Sequence, residues 1–330
     1  MGLFLHFYKE LLYSRHHLFY PNKMEKFLSM GNVTRVHFSN PSAEDIKEIV
    51  ETYDVHDIIE QDIKEINTQD KIDIYDECIF LVLHFPKYNK TTSKYFSNEF
   101  NIILGKDYIV TVTKYHTTHI DNIRKQYAED IAQKDPDEEF KISPYYILYK
   151  IIDVMYDKVL VALNKFNIDL NVLEDAIFSK DILNETLLSK LLTKKRNIVL
   201  LKHLMLPQSE ILQELQKATE NFYEWDLDVY FEDLIYKTDK ITAAINMAME
   251  NAESISTIYN TSANIKTNTI VSILTILTVI VWLMTMITWF YGMNVKLPWQ
   301  EFANTAFLII WGMVVISIVM IVIFRKKKWI

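Results

Sequence analysis

The sequence predicts an α+β body, a mixed β-sheet flanked by helices, feeding a long stalk helix that continues into the first of two membrane-spanning helices. Three observations carry that expectation. The first is a charge split: residues 1–265 hold 29 Lys+Arg against 42 Asp+Glu, a net of −13, while residues 266–330 hold six basic residues against Glu301 alone, a net of +5. The second is a pair of long charge-free runs, one between Lys266 and Lys296 and one from Phe302 to Phe324. The third is the absence of Gly and Pro from 208–291, which leaves that stretch without a helix breaker.

Composition removes several classes. Half of the 330 residues are hydrophobic, 24% are charged, and there are only 5 Gly and 7 Pro. That excludes a disordered chain, a collagen-like fibre and a Gly-rich phosphate-loop enzyme. A net charge of −8 argues against a nucleic-acid binder, which needs a basic face. The single cysteine, Cys78, excludes an intramolecular disulfide and any Cys-based zinc cluster. The nine histidines form no His-x-x-x-His or His-Glu-x-x-His pattern: His16 and His17 are adjacent, and His116 and His119 flank a Thr pair. They read as surface or core residues, and with no Gly-Lys-[Ser/Thr] phosphate loop the chain does not read as an enzyme and needs no organic cofactor.

The body is assigned to residues 1–225. No secretory signal is expected at its start, because Met1 to Tyr20 carries Lys9, Glu10 and Arg15 within its apolar stretch. Val33 to Phe38 is β-rich, and Pro41-Ser42-Ala43-Glu44-Asp45 reads as a capped helix start. Ile72 to Phe85 and Phe100 to Thr113 are rich in Ile, Val, Phe and Tyr, the latter turning at Gly105-Lys106-Asp107 as a hairpin. The acidic run 135–139 reads as a solvated loop. Helices are expected from Pro144 to about Phe178 and from about Asn184 to Met205.

The stalk is assigned to 226–267. Leu227, Phe231, Leu234, Ile241, Ile245, Ala248, Ala252, Ile255 and Tyr259 recur in steps of three, four or seven, the seam of a coiled coil. The small Ala248 and Ala252 admit close neighbouring helices. A stalk continuous with a membrane span suits subunits bundled around an axis.

The spans are assigned to 268–290 and 302–324, joined by an outer loop over 291–301 and followed by a basic tail over 325–330. Each span reaches the roughly 20 residues needed to cross a hydrocarbon core. Lys266 before the first and Arg325 to Lys328 after the second place both termini on the cytoplasmic side by the positive-inside rule. The acidic body is then cytosolic, where Cys78 stays reduced. Trp289, Trp299 and Trp329 fall at interfacial positions. At 100° per residue the first span separates into two faces. Asn268, Val271, Ser272, Thr275, Thr278, Trp282, Thr285 and Trp289 share one arc, Ile270, Ile273, Ile276, Leu277, Ile280, Leu283, Met284 and Ile287 fall largely opposite, and Thr288 is an exception. Two readings of the Thr arc stand: hydroxyls bonded to the preceding turn or a partner helix, or the lining of a shared pore.

Tyr291-Gly292-Met293-Asn294 follows the first span directly. With the long stalk, the second span and the terminal Arg325-Lys326-Lys327-Lys328 cluster, the chain resembles the CorA family of two-transmembrane magnesium and divalent-cation transporters, whose hallmark is Gly-Met-Asn. The resemblance is strong over 225–330 and weaker, though collinear, over 35–115. It implies a homopentameric channel in the inner or plasma membrane, with the lipid bilayer and divalent cations as its other partners. It implies Tyr291, Gly292, Met293 and Asn294 at the outer mouth as the ion-selecting turn. Asn268 matches an inner pore position, Leu274 and Trp282 match apolar constrictions, and Thr275, Thr278 and Thr285 share the pore arc. It also implies regulatory Mg²⁺ bound by carboxylates between subunits: Asp233 in Tyr230-Phe231-Glu232-Asp233, and Asp62 in Glu60-Gln61-Asp62-Ile63, followed by Lys71. Mg²⁺ is then both cargo and regulator.

Several positions depart from the family pattern. Leu283 and Trp289 replace a frequent Pro and Gly of the first span, Leu297-Pro298-Trp299 replaces Met-Pro-Glu in the outer loop, and Thr257 replaces a common stalk acid. Two other functions stay open on the residues: transport of Zn²⁺, Co²⁺ or Ni²⁺, and a non-transporting oligomeric scaffold or sensor. The intact Met293 favours Mg²⁺ over Zn²⁺, and the scaffold reading leaves the Tyr-Gly-Met-Asn turn unexplained.

Overall fold

The computed structural model describes residues 28–30, 33–115, 117, 143–179, 185–220, 228–295 and 304–327. The N-terminal stretch through Tyr20, the acidic run 135–139, Leu227, the outer loop beyond Val295 with Trp299 and Glu301, and Lys328 to Ile330 lie outside these residues. The elements in chain order are β1 (Leu28–Met30), β2 (Val33–Ser39), α1 (Ala43–Tyr53), α2 (Asp57–Lys64), β3 (Lys71–Ile74), β4 (Cys78–Asn89), β5 (Lys94–Gly105), β6 (Tyr108–Thr113), α3 (Pro144–Ser179), α4 (Glu185–Met205), α5 (Gln208–Thr219), α6 (Asp228–Tyr291) and α7 (Thr305–Lys326). They fall into two compact units: residues up to Leu173 with Ser189–Glu253, and Glu174–Leu188 with Ser254–Ile330.

The first unit is built on a six-stranded sheet in the order β1-β2-β6-β5-β4-β3. β2 pairs parallel to β6 and every other pair is antiparallel, so the sheet is mixed. The stretch Ile72 to Phe85 is two strands rather than one: the chain turns at Tyr75, whose N–H donates to the Cys78 carbonyl at 2.9 Å. Cys78 to Phe85 is buried on both faces, which is why it reads as an unbroken apolar run instead of an alternating one. Phe80, Val82, Ile103 and Val110 pack against Ile46, Ile49 and Ile59 of α1 and α2. On the other face Phe85 meets Phe100 edge-on, with centroids 5.2 Å apart, and tilts onto Tyr156 of α3 at 6.1 Å. Burial pushes the Cys78 thiol up to about 11, so it is a packing residue without thiolate chemistry.

Local chemistry explains the ends of elements. Ser42 accepts from the Asp45 N–H at 3.3 Å while Asp45 Oδ2 accepts from the Ser42 N–H at 2.6 Å, a reciprocal capping box. At the β5–β6 turn the backbone of Gly105 is not left-handed; a Cβ there would sit 2.2 Å from the Tyr108 ring. Gly105 is required by that close approach. Gly105→Ala forces the ring out of its slot and is expected to cost about 1–3 kcal/mol, read as a drop of roughly 2–10 °C in melting temperature.

α3 and α6 run parallel, because their contacts rise in step: Tyr145 against Phe231 at 5.2 Å, Tyr149 to Asp233 at 2.9 Å, Asp157 to Lys237 at 3.0 Å. α4 joins α6 through Lys195 and Glu253 at 2.6 Å. The heptad positions Phe231, Leu234, Ile241, Ile245, Ala248 and Ala252 are all buried within the single chain. The close approach that Ala248 and Ala252 permit is therefore used by the chain's own packing. α6 begins at Asp228 and continues unbroken to Tyr291, 64 residues. α2 and the separate α5 are not anticipated from the sequence.

Candidate functional site: the first span and the carboxylates of the body

Among the described residues two helices are long and apolar enough to cross a membrane: α6, through its second half, and α7. Their mutual packing covers only part of the face opposite the arc, for Ile270, Ile273 and Leu277 are exposed in the single chain. Ile280, Leu283, Met284 and Ile287 line a seam with Met313, Ile316, Ser317 and Met320 of α7, and Ile276 is 3% exposed. Leu283, at the place of the frequent Pro, thus packs against the second span, and the helix passes it without a break. Asn268, Leu274, Thr275, Thr278, Trp282 and Thr285 are all exposed in the single chain, as is Trp289. The Asn/Thr/Trp arc is turned away from α7.

Each threonine of the arc uses its hydroxyl proton locally. Thr275 donates to the Val271 carbonyl at 2.8 Å, Thr278 to Leu274 at 2.7 Å and Thr285 to Val281 at 2.8 Å. Thr288, off the arc, does the same with Met284. The local hydroxyl reading of these residues therefore holds, and it has a consequence for chemistry. With the proton committed to the backbone, what each hydroxyl presents outward is its acceptor lone pairs, the polarity suited to the water shell of a cation.

The helix ends at the motif. The Gly292 N–H donates to both Thr288 and Trp289 carbonyls, at 3.0 and 3.2 Å. The backbone at Gly292 is not left-handed; a Cβ would lie 3.2 Å from the Thr288 oxygen, so glycine is favoured by close approach to the last turn. Tyr291 stacks edge-on with Phe290, with centroids 5.6 Å apart, and Met293 and Asn294 are exposed.

The two candidate regulatory acids sit in the first unit, each already engaged. Asp62 on α2 takes the Lys71 ammonium at 2.7 Å, and Lys71 also meets Asp73 at 2.9 Å. Burial works against the Lys71 charge, but the hydrogen bonds to the two aspartates outweigh it and hold the ammonium above its ordinary value. Asp233 on α6 accepts from the Tyr149 hydroxyl of α3 at 2.9 Å. Burial first, then that bond to Asp233, raises the Tyr149 phenol, so it remains a neutral donor. Tyr149 and Asp73 carry no signal in the sequence: Tyr149 lies 84 residues from the acid it orients, and only the parallel packing of α3 on α6 joins them. Among the described residues no three His, Cys, Asp or Glu gather within one chain. Carboxylate oxygens are the ligand type Mg²⁺ takes, one or two at a time with its waters retained.

The family model for the CorA-like Mg²⁺ transporter protein matches residues 33–326. The chain belongs to the CorA family. It is 25% identical over 304 residues to the cobalt/magnesium transport protein CorA of Thermotoga maritima, covering 90% of this chain and 82% of that protein. It is 26% identical over 265 residues to the cobalt/magnesium transport protein CorA of Methanocaldococcus jannaschii, covering 77% and 78%. The complete structure of the CorA magnesium transporter from Methanocaldococcus jannaschii superposes with a TM-score of 0.78 at 19% identity, over 92% of this chain and 94% of that one. The CorA fold accounts for the mixed sheet, the long helix and the two apolar helices together.

Proposed function

We propose that the chain is a magnesium channel, a homopentamer of the inner or plasma membrane with both termini in the cytoplasm, passing Mg²⁺ inward down the membrane potential and closing as cytosolic Mg²⁺ rises. The observation that carries this reading is the division of the first span. One face packs on α7, and Asn268, Thr275, Thr278, Trp282 and Thr285 of the arc are exposed in the single chain. Polar groups in a bilayer face protein or water, so five copies turn that arc onto a common axis. At the outer end five Asn294 amides, with nearby backbone carbonyls, accept hydrogen bonds from a still-hydrated ion. That suits Mg²⁺, which dehydrates reluctantly. Leu274 and Trp282 form the apolar narrowings. Entry needs no coupled energy source: a divalent ion gains about 4.6 kcal/mol per 100 mV.

In the body, Asp62 and Asp233 of neighbouring copies hold regulatory Mg²⁺. Bound Mg²⁺ relieves the repulsion between acidic bodies and favours the closed state; its loss loosens them. Co²⁺ is the second cargo to test, because both curated relatives are cobalt/magnesium transport proteins.

The test is Mg²⁺ uptake into proteoliposomes under an imposed potential, wild type against Asn294→Ala. Wild type is expected to conduct, and Asn294→Ala to lose about tenfold or more, the scale of an interaction worth 1.4 kcal/mol. Equal flux in both, or none in either, rejects the channel.

A further inference from the structure

A cleft of 640 Å³ lies in the first unit between the β4–β5 hairpin, α3 and α4, within the usual size of a small-molecule site. Its charge is opposite to that of the body around it. Lys87, Lys90, Lys158, Lys165 and Lys194 line it, with Asp169 as the single acid, in a region whose net charge is −13. Asp169 is committed to Lys194 through an ion pair. Lys90, Lys158 and Lys165 have no carboxylate at ion-pair distance among the described residues. Lys158, Lys165 and Asp169 stand on one face of α3, with Met155 and Ala162 completing the 3,4,3,4 spacing, so the lysines are aimed together by the helix rather than scattered.

The remaining wall is of another kind. Its rings are the Tyr88–Tyr95 pair, whose centroids are 4.9 Å apart, with Phe85 and Phe166 also lining it but themselves buried. This is apolar, ring-bearing surface beside the charge. Asn98, only 3% exposed, belongs to the same wall. Its amide nitrogen donates to Thr117 Oγ1 at 3.3 Å, and that hydroxyl in turn donates to the Tyr115 carbonyl at 3.1 Å. Among the described residues the Asn98 Oδ1 is left without a donor, a costly state for a buried carbonyl. Three requirements meet here: a polyanion for the lysines, a flat ring for the aromatic wall, and an N–H or O–H for Asn98.

We propose that this cleft binds a nucleoside polyphosphate in its metal-free form. The phosphates meet Lys90, Lys158 and Lys165, the base lies on the aromatic wall, and an amino or hydroxyl group of the nucleoside donates to Asn98. The metal-free form is selected because the cleft supplies excess positive charge and no uncommitted carboxylate. Mg²⁺ on the ligand removes two of the charges the lysines meet. Burial also lowers the pKa of Lys87, and an anion beside it acts in the opposite direction. Occupancy then falls as Mg²⁺ rises, giving the body a second reading of the same ion. The cytosolic orientation of the proposed function bears on this site only through the ligand's availability. Binding is measured without it.

The experiment is calorimetry on the purified full-length chain in detergent at low salt, with EDTA present, using ATP and pyrophosphate as probes. ATP is expected to bind, and pyrophosphate to bind at least about tenfold more weakly for want of the ring. Lys158→Glu with Lys165→Glu is expected to weaken ATP by at least about tenfold, with the melting temperature unchanged. In a second titration without EDTA, saturating Mg²⁺ is expected to weaken ATP as well. Lys158→Gln with Lys165→Gln replaces the charge reversal if that variant fails to fold. No binding of ATP, equal binding of ATP and pyrophosphate, unchanged ATP affinity in the folded double variant, or tighter binding with Mg²⁺ overturns the proposal. A chain that binds ATP but passes no Mg²⁺ separates this site from the channel reading.

Discussion

Asp70→Ala is expected to destabilise the body by about 3–5 kcal/mol, the cost of leaving a buried charge without its partner. Asp70 and His84 are almost wholly buried, with side chains 2% and 4% exposed. Asp70 Oδ1 lies 2.7 Å from His84 Nδ1 and accepts the His84 backbone N–H at 2.8 Å. The other ring nitrogen lies 3.0 Å from the Asn67 carbonyl. Both ring nitrogens face acceptors, so the doubly protonated imidazolium satisfies the site. Burial alone lowers the His84 pKa, but the hydrogen bond and charge of Asp70, the Asn67 carbonyl and Glu99 together raise it above its ordinary value. A raised histidine pKa contributes stability that is fully present below the unfolded value of about 6.5 and is lost as pH climbs through the folded value. Wild type should therefore lose stability as pH rises from about 6.5 through the folded value, and Asp70→Ala should be flatter there. Pulse proteolysis in urea on the detergent-solubilised chain measures both. A change under about 1 kcal/mol in the variant, or equal pH slopes, rejects the imidazolium assignment.

Asp62→Ala combined with Asp233→Ala is expected to abolish inhibition by cytosolic Mg²⁺ while leaving the maximal flux in place. Asp62 is held by Lys71 and Asp233 by Tyr149, so each carboxylate is oriented before any ion arrives, and removing it deletes a ligand without opening the core. Couplings between sites are typically about 1–3 kcal/mol, or 5–150-fold. Flux suppressed by that factor in wild type should be unchanged by the same Mg²⁺ in the double variant. Proteoliposomes with Mg²⁺ clamped on the body side give the measurement. Persisting inhibition removes these two acids from the gate without touching the pore assignment.

Legibility in the sequence followed the range of the interactions involved. The membrane spans were legible because a bilayer demands a continuous apolar helix, a constraint each span meets by itself. The capping box at Ser42 and Asp45 was legible because its partners are three residues apart. The arc of the first span was legible in part: a helical wheel separated Thr275 from Ile276, but only the seam with Met313 and Ile316 marks which face the chain leaves uncovered. The heptad of the stalk was legible as apolar spacing but not as to partner, because periodicity records that a face is buried and not what buries it.

By itself the sequence determined the two-part charge, the spans and their expected orientation, the Tyr-Gly-Met-Asn turn and the family those residues resemble. All of these depend on composition or on residues close in the chain. Tertiary structure decided that the stalk seam is filled from within the chain, that Tyr149 orients Asp233 and Lys71 bridges Asp62 and Asp73, that His84 is buried against Asp70, and that five lysines from residues 87 to 194 line one cleft in an acidic body. These are meetings of side chains tens of residues apart, set by which helix lies on which face of the sheet. No local period or spacing encodes them.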